Sequence, residues 1–203
     1  MIRYYLFKIN GFTKKEFLVN IFKDLSKEEI SIYFLNDDLG YFYSEDDLYI
    51  ILDSVIKNIN VDLNIDINIL ITHKVNKYYF ELLNDSFKFY KNKIFSLYDL
   101  VLYFNLNNLK NYNLDIIKEF NNVPDYLINT MKIYLEANRN ALLTSKYLFI
   151  HRNTFNQRLE KFIELTSLDI RDFYNANYFL LYLRIKENCV QGVHNNLSAE
   201  NLK

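Results

Sequence analysis

The spacing of apolar residues changes character once along this chain, and that change limits the fold more than any other feature. Up to about residue 122, short alternating stretches are interleaved with helical ones; from residue 114 onward only helical spacing remains. Segment 2–9 reads as a strand and 14–25 as a helix with Phe17, Ile21 and Phe22 on one face. Segments 30–35 and 40–43 read as short strands joined by the turn NDDLG. Helical spacing returns over 46–58 through Leu48, Ile51, Leu52 and Ile56, and 63–72 reads as a strand buried at its far end. A helix over 77–91 places Phe80, Leu83, Phe87 and Tyr90 inward, before a short strand at 94–96 and a helix over 97–106.

Strands separated by helices, then helices alone, imply an α+β chain: a small α/β domain followed by an all-α one. The expected division is 1–122 for the α/β domain, 123–187 for the helical domain and 188–203 for a polar, aperiodic tail. The helical segments expected are 115–120, 124–138, 141–149, 152–165 and 175–187. Three glycines and one proline leave little punctuation, which blurs the element ends. That scarcity, with heavy use of Asn, Ile, Lys, Tyr and Phe, is the signature of AT-rich codon usage.

Composition excludes several classes. A net charge of −1 and a pI near 6.3 rule out a bulk polycation, so any nucleic-acid binding must come from a local patch. One cysteine, Cys189, forms no internal disulfide and no cysteine metal cluster. The N-terminal run MIRYYLFKINGFTKKEF lacks a signal-peptide pattern, and no segment has the ~20 apolar residues of a membrane helix. The expectation is a cytoplasmic protein with no membrane partner.

The local patch exists. Between Arg139 and Lys161 stand five cations, Arg139, Lys146, Arg152, Arg158 and Lys161, against one anion, Glu160. Within it lies IHRNTFNQRL, residues 150–159, where Phe155, Leu159 and Phe162 form one apolar stripe and a polar cluster precedes it. Asn140 suits the N-cap of a short preceding helix whose inner face holds Leu143 or Thr144, Tyr147 and Leu148. Ser145 is small enough to let two helices cross closely. A short helix, a tight turn and a longer amphipathic helix make a helix-turn-helix pattern. In such a unit the second helix enters the major groove by its N-terminal end. Asn153, Thr154 and Gln157 have the chemistry to read base edges, and Arg152, Arg158 and Lys161 the charge to meet phosphates.

At these residues the chain resembles the C-terminal helix-turn-helix of PucR/CdaR-type transcriptional regulators. The resemblance is carried by Asn140, Ser145, Leu148, Ile150, His151, Arg152, Asn153, Thr154, Arg158 and Leu159, within a stretch of about 124–186. It implies a regulator that binds double-stranded DNA through His151, Arg152, Asn153, Thr154, Asn156, Gln157, Arg158 and Lys161. Two positions depart from the family pattern: Asn156, where a basic residue is usual, and Glu160, where one is frequent. The layout of 67–103 is similar to the degenerate GGDEF-like domain that often precedes this reader. The loop a cyclase needs is absent from the sequence.

Competing assignments remain open. His151 suits a helix cap as well as a DNA contact, and Arg158 could serve a carboxylate such as Asp169 or Glu136. The pairs Asp37–Asp38 and Glu45–Asp47 read as solvated turn carboxylates, and His73, His151 and His194 are too scattered to suggest a metal site. No GxGxxG, P-loop, HExxH or GxSxG run occurs, so no cofactor and no enzymatic activity are expected. A homodimer and a small-molecule effector are the expected partners besides DNA. The rival reading is a protein–protein adaptor built on the same scaffold.

Overall fold

A computed structural model describes residues 2–11, 15–25, 30–63, 65–107 and 112–200. The side chains of Phe17, Cys189 and His194, and the last residues of the expected tail, 201–203, lie outside that description. The chain divides into two compact units, Met1–Tyr103 and Phe104–Lys203. Among the described residues no helix is long and apolar enough to cross a membrane.

The first unit runs β1 (Arg3–Asn10), α1 (Lys15–Lys23), β2 (Ile32–Phe34), β3 (Leu39–Ser44), α2 (Tyr49–Leu63), β4 (Asp66–Thr72), α3 (Lys77–Ser86), β5 (Lys93–Ser96) and the first seven residues of α4 (Leu97–Leu106), the helix in which the units part. The sheet order is β2-β3-β1-β4-β5; β1 is antiparallel to both neighbours and β4 is parallel to β5. The central strand is apolar on both faces, with Tyr5, Leu6 and Phe7 fully buried. On the Phe7 face α1 packs through Phe22, whose ring lies 5.4 Å from Phe7 and 4.9 Å from Phe42. The Tyr5 hydroxyl, at the start of α2, donates to the Asp46 carbonyl and accepts from the Leu48 N–H. On the opposite face the Asn68 amide donates to Ser86 Oγ at 2.9 Å, which anchors α3 there.

Tyr4, Tyr33, Tyr41 and Tyr43 gather toward the β2 edge; Tyr33 and Tyr41 stack with centroids 5.0 Å apart. Gly40 permits the close approach of β2 to β3. A Cβ there would fall inside van der Waals contact of the Tyr33 carbonyl oxygen and the Phe7 ring.

The helix expected over 77–91 stops at Ser86. Ser86 Oγ donates to the Leu83 carbonyl, and residues 87–89 tighten into successive i→i+3 turns that end the helix.

The second unit holds α5 (Asn113–Glu119), α6 (Asp125–Glu136), α7 (Ala141–Tyr147), α8 (Arg152–Thr166) and α9 (Phe173–Glu200). The architecture is α+β, as the sequence implied. The compact units part earlier than residue 122, because α5 packs in the helical unit. Phe120 stacks on Tyr182 at 4.0 Å, and the Tyr178 hydroxyl donates to Glu119 at 2.7 Å. Phe162 and Phe179 complete this aromatic core, their rings 5.2 Å apart. The polar stretch expected as a tail from residue 188 instead continues the backbone of α9 to Glu200.

Candidate nucleic-acid interface

Local chemistry fixes each boundary of the helix pair. The Asn140 side chain caps α7 by accepting from the Leu143 N–H at 3.0 Å. α7 closes in a Schellman turn: the Ile150 N–H donates to the Ser145 carbonyl and the Phe149 N–H to that of Lys146. Phe149 thereby takes the left-handed position, at φ 53°, where glycine is usual. The chain then enters α8 through His151, whose Nδ1 accepts from the Asn153 N–H at 3.2 Å. That bond leaves the ring proton on Nε2 in the neutral imidazole. His151 is therefore the helix cap, with its other nitrogen available as a donor.

The apolar stripe is where the spacing placed it: Phe155, Leu159 and Phe162 are buried, and Phe155 packs 5.0 Å from Tyr134 of α6. Ser145 and Thr144 are buried, and each donates its hydroxyl to a carbonyl four residues back. Tyr147, expected inward, is 58% exposed, because α7 ends there and its stripe continues through Leu148.

With the stripe inward, His151, Arg152, Asn153, Asn156, Gln157 and Lys161 are exposed, while Thr154 and Arg158 are half-buried. Side by side at the start of α8, Arg152 and Asn153 stand clear of the core. The five cations of the patch fare differently. Arg139 donates to the Arg171 carbonyl at 3.0 Å. Lys161 is held on both Glu164 oxygens at 3.0 Å.

Arg158 turns back to α6, donating to Thr130 Oγ1 at 3.0 Å with its guanidinium 5.3 Å from the Tyr126 ring centroid. Its partner is thus a hydroxyl and an aromatic face, and neither Asp169 nor Glu136 takes that place. Asp169 is instead taken by Arg171, at 2.6 to 3.1 Å. Burial pushes the Asp169 carboxyl up, but the Arg171 bonds outweigh it and hold it below its ordinary value. Lys146 and Arg152 are exposed, and each lacks an ion pair among the described residues.

The sequence reading missed Thr130, although the signal was there. Leu127, Thr130, Met131 and Tyr134 follow one helical stripe, so a buried hydroxyl in α6 facing α8 was legible from spacing. Nothing in the residue pattern marked Tyr126 as the ring beneath Arg158.

Residues 127–185 match the family model described as the PucR C-terminal helix-turn-helix domain. The uncharacterized protein YxkF of Bacillus subtilis is 42% identical over 50 residues, 25% of this chain and 17% of that protein. The proline-responsive transcriptional activator PutR of the same organism is 43% identical over 47 residues, 23% of this chain and 11% of that protein. The carbohydrate diacid regulator of Escherichia coli is 42% identical over 60 residues, 30% of this chain and 15% of that protein. The chain therefore spans less than a fifth of the length of each of these relatives. With a capped α7, a tight turn and an amphipathic α8 inside the matched stretch, the chain carries a helix-turn-helix domain of the PucR C-terminal type.

Proposed function

We propose that the chain is a sequence-specific, double-stranded-DNA-binding transcriptional regulator of the PucR/CdaR type, with α8 as the recognition helix, and that it has no catalytic role. The observation that carries this reading is the start of α8, where Arg152 and Asn153 stand exposed beside Gln157 and the half-buried Thr154. Asn and Gln match the donor–acceptor pair of adenine, and Thr meets a thymine methyl or a base edge. Arg152, Lys146 and the His151 Nε2–H serve phosphates, with Asn156 and Lys161 at the flank of the same face. Arg158 contributes indirectly, by tying α8 to α6 through Thr130.

One recognition helix buries little surface, and two-fold pairing on a palindromic site is the common remedy. Dimerisation is accordingly part of the proposal, with the sheet unit as its agent or as the receiver of a small-molecule signal. A cytoplasmic location follows from access to DNA. Light scattering at micromolar protein that gives a monomer both with and without DNA would overturn the dimer.

The test of DNA reading is fluorescence anisotropy of the full chain with a labelled duplex from upstream of its own coding sequence, across a salt series. Each phosphate neutralised adds about 0.9 to the slope of log K against log salt. Binding that is steep in salt, and weakened about 100-fold by the double substitution Arg152→Ala/Asn153→Ala in a folded protein, is the expected result.

A second reading, a protein–protein adaptor on the same scaffold, is favoured by one observation: three cations of the patch are already engaged, Arg139 by the Arg171 carbonyl, Lys161 by Glu164 and Arg158 by Thr130. Folded protein that ignores DNA at low salt would establish it.

A further inference from the structure

Phe149 is the least explained side chain in the helix-turn-helix. It is 96% exposed, so its ring contributes almost nothing to the core. It also holds the left-handed conformation that closes α7, at φ 53°. A bulky residue there costs on the order of 1–3 kcal/mol that glycine would not. Of the other left-handed residues, Asn92 and Asn138 are of the type that tolerates this region, Ser167 is small and the Arg139 side chain is bonded to the Arg171 carbonyl; Phe149 is bulky and makes no such bond. A position that is strained and unburied gains nothing for stability from a phenyl ring.

The ring's surroundings suggest its use. Phe149 lines an open groove of about 570 Å³ between α7 and the start of α8, together with Leu142, Lys146 and Arg152. No carboxylate lines that groove, and its two cations are the members of the patch whose side chains make no hydrogen bond or ion pair among the described residues. An apolar floor between two open cations suits a polyanion whose backbone alternates charge with an apolar sugar. An acidic protein segment would meet the cations but offer the ring nothing in register.

We infer that Phe149 is a DNA-contact residue: its ring packs against a deoxyribose of the strand whose phosphates Lys146 and Arg152 neutralise, beside the bases read by Asn153 and Gln157. This inference rests on the DNA-reading function proposed above and adds to it a neutral, turn-borne contact. The strain of the turn is then offset when DNA is bound.

The test compares Phe149→Gly, Phe149→Asn, Phe149→Tyr and Arg152→Ala with the parent chain, using the same labelled upstream duplex and salt series, with a thermal melt of each protein. Half-burying a phenyl ring is worth about tenfold in affinity. Phe149→Gly and Phe149→Asn are expected to weaken binding about tenfold with an unchanged salt slope and a melting temperature equal or higher. Phe149→Tyr should bind as the parent does, and Arg152→Ala should lower the slope by about one. If Phe149→Gly binds like the parent while Arg152→Ala is weakened, the inference fails and the DNA-reading function stands. If the parent chain, folded, binds no duplex at low salt, both fail together.

Discussion

The sheet unit and the helix-turn-helix treat their charges in opposite ways. In the sheet unit Arg3 meets Asp47, Lys8 meets Asp38, Lys15 meets Asp37, Lys57 meets Asp53 and Lys91 meets Asp66. In the patch from Arg139 to Lys161, a carbonyl, a hydroxyl and one glutamate occupy three cations, and Lys146 and Arg152 are left open. A molecule of net charge −1 can therefore present a cationic site without being a cationic protein. The difference lies in where carboxylates are withheld, and net charge says nothing about it.

Substitutions can break or sharpen this contrast. The largest effect is expected where the reader is held in shape: Phe162→Ala should cost about 3–5 kcal/mol of helical-unit stability in urea unfolding followed by circular dichroism. Arg158→Ala comes next, at about 1–3 kcal/mol, because it leaves the buried Thr130 hydroxyl without its charged donor. If Arg158→Ala instead lowered only DNA affinity, Arg158 would belong with the open cations.

Asp169→Asn is expected to cost about 1–2 kcal/mol near neutral pH through loss of the Arg171 bonds. Because the folded carboxyl lies below its ordinary value of about 3.9, its contribution is complete above that pH and is lost as pH falls through the lower folded value. An acid titration of stability should therefore drop more steeply below pH ~4 in the parent than in the variant. In the sheet unit, Asp66 is held low chiefly by its bond from Lys91, so Asp66→Asn should show the same sign. Asn140→Ala should cost about 1 kcal/mol as a lost cap.

The smallest effects separate the two regions most sharply. Lys57→Ala breaks an exposed pair and should cost at most about 0.5 kcal/mol, while Lys146→Ala should leave stability unchanged and weaken only DNA binding. A stabilised Lys146→Ala protein would show that the open cations repel one another in the free state.

The helix pair was legible because each of its devices is local in sequence: the Asn140 cap, the stripe Phe155–Leu159–Phe162 and the polar start of α8 are all set by spacing. What escaped was long-range. Arg158 is expected at a phosphate, with a carboxylate such as Asp169 or Glu136 as the alternative, yet its side chain donates to a hydroxyl 28 residues away. α5 falls before the boundary that the change in periodicity places near residue 122, although its packing is decided by aromatic residues near position 180. Phe149 ends the segment expected to be helical over 141–149, and the turn's handedness, which periodicity cannot reveal, sends its ring outward. Of the candidate site residues, Arg152, Asn153 and Gln157 were accessible to reasoning because the stripe alone decides which way they face.

Gly40 has a consequence for how this chain can drift. Glycine codons begin with two guanines, and a chain whose composition leans toward Asn, Ile and Lys carries only three glycines. At position 40 any side chain would strike both a neighbouring strand's carbonyl and an interior ring. Shrinking the residue at position 7 would relieve only one of those collisions, so no single compensating change rescues a replacement. Lineages of this chain should therefore keep glycine there more strictly than they keep the acidic turn just before it, where Asp37 and Asp38 make ion pairs with Lys15 and Lys8 that a glutamate could reach as well.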